Sequence, residues 1–349
     1  MNLKKLFQGT TRLSAIVLSS ICILSHSVSK ASNKDQSKKY DIVVAQDGSG
    51  NFKTVQEAFD AVPSLKSERT VIFVKKGIYK QVITLEKDKN NVTLIGEDAN
   101  NVILTFDNYS SKINPVTNKG YGTSGSSSCY IKGDSFYAKN ITFENSSGPV
   151  GQALAIHIDG DKAVFNNCRF LGFQDTMYAG DSRQYFKDCY IEGSTDFIFG
   201  SSTSFFDNCV LHTKGGSAIT AASTKDYVTF GYVFNNCKIT GTGAGITTLG
   251  RPWRPYAAVV FINTEMSNAI KPAGWDNWRK TENESTARYK EYNSTGAGAY
   301  PNERVKWMKY LTKEEVKLYT IENVLKATNA NPPVIDNWNP KQIIALYKK

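Results

Sequence analysis

VFNNCRF (164–170), YFKDCYI (185–191), FFDNCVL (205–211) and VFNNCKI (233–239) are four versions of one segment. Each runs apolar or aromatic residues into Asn or Asp, then Cys, then a side chain flanked by another apolar one. Looser versions stand at FYAKNITF (136–143) and AVVFINTEM (258–266). The steps between the cysteines are 21, 20 and 28 residues, the spacing of a solenoid whose unit is a few short strands. One unit cannot bury its inward side chains alone. Coils stacked at ~4.8 Å build a continuous core and pair every strand backbone. The aromatics and cysteines then form inward stacks, and the Asn residues take the turns, where they tolerate unusual backbone angles. A sandwich or barrel of short strands is the competing architecture; the in-phase cysteines weigh against it. The expected fold is all-β, a right-handed parallel β-helix.

Solenoid ends need covers, because an open end exposes core and unpaired strand edge. In TVQEAFDAV (54–62), Thr54 and Glu57 form a capping box before an apolar-periodic helix. TKEEVKLYTIENVLKA (312–327) carries the same signature at Thr312 and Glu315. Short capping helices are therefore expected at both ends of one domain, 38–349. The Ser/Gly-rich stretch GYGTSGSSS (120–128) reads as a surface loop within it.

The start of the chain reads differently. Lys4, Lys5 and Arg12 precede the apolar run LSAIVLSSICIL (13–24), which is short for a membrane span, and Ser29-Lys30-Ala31 offers a cleavage site. Residues 1–31 are expected to be a signal peptide; an uncleaved anchor is the alternative. Its loss removes those three cations and Lys30 from a formal charge of +10. The positive remainder suits an anionic surface or an acidic polysaccharide, and no basic run or nucleic-acid motif supports nucleic-acid binding. A secreted monomer without stable membrane association is expected. Five cysteines remain, an odd number and too few for a disulfide scaffold. Cys189 and Cys209 could bridge neighbouring coils, against the alternative of a reduced thiol stack. No Cys/His cluster has zinc spacing, and neither metal nor cofactor is expected.

The repeat also aligns chemistry. If Cys168 and Cys189 are equivalent, so are residues seven further on: Asp175 in FQDTMY and Asp196 in TDFIFG. That places two carboxylates ~5 Å apart across one coil step. Like charges so close do not both ionise easily, so one pKa should rise while the other stays low, giving a proton donor beside an ionised nucleophile. Gln174 adjoins Asp175, and Gln152 in GQALAI lies 22 residues earlier; uncharged amide donors suit an oxyanion. Register alone leaves the chemistry open. A retaining glycosidase needs carboxylates at ~5–5.5 Å, a calcium-dependent lyase uses Asp clusters, and a non-catalytic polysaccharide adhesin needs neither.

These residues resemble the pectin methylesterase (pectinesterase) family. AQDGSGNFKTVQEAFDAVP (45–63), GIY (77–79), GQALAI (151–156), QDT (174–176), DFIFG (196–200) and LGRPW (249–253) follow in that family's order. The resemblance implies hydrolysis of methyl esters of homogalacturonan to pectate and methanol, without cofactor. It implies Asp196 as nucleophile, Asp175 as acid and then base, and Gln152 and Gln174 as holders of the oxyanion. It further implies Arg251 as partner of Asp196, and Trp253 with Phe199 as the sugar-groove lining. Three positions depart from the family pattern: Gln81, Met177 and Gly151, none with a chemical role in this scheme. In WDNWRK (275–280), Trp275 and Trp278 beside Arg279 form a second candidate sugar-binding edge, with a packed covering loop as the alternative.

Overall fold

Phe165, Phe186, Phe206, Phe234 and Phe261 pair in register across five successive strands. Their rings stack at centroid distances of 5.1, 4.6, 4.4 and 4.5 Å, and all five are fully buried. This inward column is the aromatic repeat of the sequence. Each such ring removed from water contributes roughly 1.5–3 kcal/mol. The computed structural model describes residues 40–347; the signal segment expected at 1–31 lies outside them.

The strands form three parallel sheets of eleven, eight and seven strands, in which neighbours come from successive coils. A two-stranded antiparallel hairpin, Ile113–Asn114 with Lys119–Gly120, is the exception. Turns between sheets carry the repeated Asn and Asp. Asn140, Asn167, Asp188, Asn208, Asn236, Asn263 and Asn293 all have positive φ. Their side chains also bond from coil to coil: Asn167 to Asn140 at 2.8 Å, Asn208 to Asp188 at 2.6 Å and Asn293 to Asn263 at 2.9 Å.

Cys168, Cys189, Cys209 and Cys237 are buried in the column next to each turn. They are free thiols, so the expected Cys189–Cys209 bridge is corrected. Side chains at equivalent positions of parallel strands point the same way, whereas a disulfide needs Cβ atoms aimed at one another. Cys189, Cys209 and Cys237 instead donate to main-chain carbonyls of the preceding coil, those of Phe165, Phe186 and Phe206, each at 3.5 Å, and Cys168 donates to the Asn166 carbonyl at 3.6 Å.

At the amino end the helix Val55–Asp60 forms with both bonds of its capping box, and Val55, Ala58 and Phe59 enter the core. The carboxyl-terminal expectation needs correcting. The Thr312–Glu315 bonds are made, but they start only a single 3-10 turn, Glu315–Leu318. A second helix, Ile321–Leu325, is capped by Thr320. Ile321, Val324 and Leu325 pack with Val164, Tyr185, Phe205 and Val233, which alternate with the inward phenylalanines. The segment thus lies along the outer face of the eleven-stranded sheet. Arg183, fully buried, ties it down through Asp161, Asp336 and the carbonyl of Leu325. The end of the core is covered by Trp275, Tyr289 and Met308.

Candidate active site

Asp175 and Asp196 each stand two residues before paired strands, Met177–Ala179 and Ile198–Gly200, that run in parallel register. They therefore hold equivalent places in adjacent coils, as the 21-residue spacing requires. Both have left-handed backbones, φ 64° and 51°, an uncommon conformation that Asp tolerates better than most residues. Their amides fix them to the following coil, Asp175 N–H donating to Thr195 at 3.0 Å and Asp196 N–H to Ala218 at 2.7 Å.

Gln152 and Gln174 form a parallel bridge, and the Gln152 carbonyl accepts the Ser110 N–H at 2.9 Å. The one extra residue in their spacing is absorbed between them and the strands that follow, where Ile156 pairs with Met177. Both Gln side chains line the cleft above the aspartates. Gly151 before them has φ 104°, a conformation that glycine reaches without strain and a larger residue does not. Met177, the other departure in this region, is buried in line with Ile156 and Ile198.

Arg251 reaches Asp196 from the strand Thr248–Pro252 as a two-bonded fork, Nε to Oδ1 at 2.9 Å and Nη2 to Oδ2 at 2.6 Å. On its other side the guanidinium lies 4.0 Å from the Trp278 ring centroid. Burial pushes Asp175 up to about 8, the Asp196 charge adds to the rise, and Arg251 opposes it. Asp196 is also raised by burial, against the bonds from Arg251. The expectation that one carboxyl stays low is therefore corrected: both are desolvated, and the two differ because Arg251 bonds only Asp196.

The cleft holds about 360 Å³ and is lined by all five residues of this centre together with Phe199 and Trp253. Phe199 meets Trp253 edge-on at 5.9 Å and Tyr178 at 5.2 Å. Trp275 does not reach it. Trp275 is 2% exposed, stacks on Tyr289 at 4.3 Å and donates to Glu291 at 3.2 Å. Gly250, one residue before Arg251, makes room for it: a Cβ there would lie 3.2 Å from the indole and 2.1 Å from Thr220 Oγ1. WDNWRK is thus split, with Trp275 in the core and Trp278 in the cleft wall.

The sequence reading missed Thr123, Ser124 and Tyr178, which also line the cleft. Tyr178 could have been found by register, since it pairs with Phe199. Thr123 and Ser124 could not, because GYGTSGSSS looks like a solvated loop. Instead it forms the short helix Gly122–Gly125, followed by buried Ser126, Ser127 and Ser128. Asn145 fastens it, donating to the carbonyls of Asn108, Ser126 and Leu154.

Comparison with known proteins decides what this arrangement belongs to. The Pectinesterase family profile matches residues 41–328. The chain belongs to the pectinesterase family. It is 46% identical over 278 residues to Pectinesterase 31 of Arabidopsis thaliana, covering 78% of this chain and 88% of that one. Against Pectinesterase 4 of the same plant it is 37% identical over 314 residues, 84% of this chain but 53% of the longer relative. Among solved structures it is similar to pectin methylesterase from carrot, with TM-score 0.77 and 31% identity over 86% and 95% of the two chains. It is also similar to a pectin methylesterase in complex with a hexasaccharide, with TM-score 0.74 and 30% identity over 86% and 98%. The fold is that of these pectinesterases, a right-handed parallel β-helix, and the activity is that of a carboxylic ester hydrolase. Membership closes the choice that register left open between esterase, glycosidase and lyase.

Proposed function

We propose that the chain hydrolyses methyl esters of homogalacturonan through Asp196 as nucleophile and Asp175 as proton carrier. The observation that carries this division of roles is the fork from Arg251, which bonds Asp196 and leaves Asp175 free. An Asp196 oxygen attacks the ester carbonyl carbon, and the Gln152 and Gln174 amides hold the resulting oxyanion. Asp175, protonated at neutral pH, gives its proton to the departing methanol. The acyl group is left on Asp196 as an anhydride. Asp175 then takes a proton from water, whose oxygen attacks the acyl carbon and frees the galacturonate carboxylate and Asp196. Phe199 and Trp253 offer the faces against which a sugar ring packs.

The polymer is the proposed partner, engaged by a secreted monomer. Export is supported by the basic and then apolar residues at the start of the chain. The test is to incubate the mature protein with methylated pectin and follow methanol and polymer length together. Methanol release at constant length is expected. Shortened chains would replace the esterase with a depolymerase, and binding without methanol would make the cleft an adhesive site.

A further inference from the structure

The two walls of the cleft differ in charge. Thr123, Ser124 and Tyr178 on one side carry none at neutral pH. The other side has Trp253, followed by the exposed Arg254. The Arg254 guanidinium lies 5.0 Å from the Trp253 ring centroid, and among the described residues its hydrogen bonding is a long 3.5 Å contact to the Trp253 carbonyl. Arg251 is held by Asp196, but among the described residues Arg254 has no carboxylate partner. Asp276, the acid of this wall, accepts from the Trp278 amide instead. Pro255 restricts the backbone of Arg254, and the indole face supports its side chain. An unpaired guanidinium is thus presented at the rim of a cleft for a polymer whose product is a carboxylate.

We propose that Arg254 is a specificity residue that binds a free carboxylate on a sugar neighbouring the reacting ester, on the Trp253 side. The inference rests on the esterase reading and adds to it a preference among substrates. A guanidinium pairs with a carboxylate through two charge-assisted bonds, whereas a methyl ester offers only a neutral acceptor. A partly de-esterified chain is therefore bound better than a fully methylated one.

The experiment measures methanol release from fully methylated pectin and from pectin roughly half de-esterified. It uses the mature wild type, R254Q and R254K, at low and high salt. The wild type is expected to show a lower KM on the partly de-esterified polymer, a preference that salt erodes. R254Q is expected to raise that KM about fivefold with kcat held, and R254K to recover part of the loss, because the charge remains and the fork is lost. An unchanged ratio of the two KM values in R254Q would overturn the proposal. So would an equal fall of kcat on both polymers, which would indicate a structural role. Absence of methanol from the wild type would instead count against the esterase reading, so the two failures are distinguishable.

Discussion

Asp175 and Asp196 sit at φ 64° and 51°, and that conformation turns each carboxyl out of the strand ladder into the cleft. Left-handed backbone at a non-glycine residue persists where its surroundings hold it, here through the amide bonds of both aspartates to the next coil. The desolvation that results has a consequence for pH. Asp175 must hold its proton to release methanol, so kcat/KM falls as pH rises through about 8. Asp196 must lose its proton to attack, so the acid limb lies above the usual carboxylate range. A pH–rate profile of the free enzyme checks both limbs; activity still rising well above pH 9 would contradict the assignment of Asp175. The two aspartates were legible from register because the coil between them has no insertion. Arg251 was not. It pairs with Ala221 across a 30-residue step, which a 21-residue count cannot follow, and only the LGRPW resemblance located it.

At the scale of elements, the inward columns were readable because each coil repeats the same chemistry: a phenylalanine, an Asn turn and a buried thiol. Elements outside the repeat were not. The serines after the Gly122–Gly125 helix look like a polar loop because their hydroxyls satisfy buried main chain, as when Ser128 Oγ accepts the Phe106 N–H at 3.0 Å. The segment after Thr312 was misread as one helix because its i, i+3, i+4 apolar pattern begins only at Ile321. Trp275 was placed in the groove because an aromatic beside Arg279 suits a sugar. What removed it was a partner invisible in sequence, the buried pair of Glu291 with Arg304 at 2.8 Å, whose carboxylate receives the indole N–H. Trp275→Ala should therefore lower stability by about 3–5 kcal/mol, read from the urea midpoint. The milder Trp275→Phe should leave KM for pectin within about twofold. A several-fold rise in KM for Trp275→Phe at intact stability would return the residue to the groove.

At the scale of the whole molecule, the solenoid acts as a ruler for chemistry. Adjacent coils supply the two carboxylates, the preceding coil supplies Gln152, and the strand Thr248–Pro252 returns Arg251 to the same face. Outward residues of that sheet, Tyr178, Phe199, Ala221 and Arg251, stand in one column and make the cleft floor apolar at one end and cationic at the other. The helix Val55–Asp60 at one end and Trp275, Tyr289 and Met308 at the other close the stack, where open ends would invite edge pairing. Asp196 and its fork to Arg251 stand at the centre of this chemistry. The most direct test is methanol release from methylated pectin by Asp196→Asn, a near-isosteric change that removes the nucleophile and keeps its shape. A loss of at least about 10³-fold with pectin binding retained is expected; activity within about tenfold of the wild type would contradict Asp196 as the nucleophile.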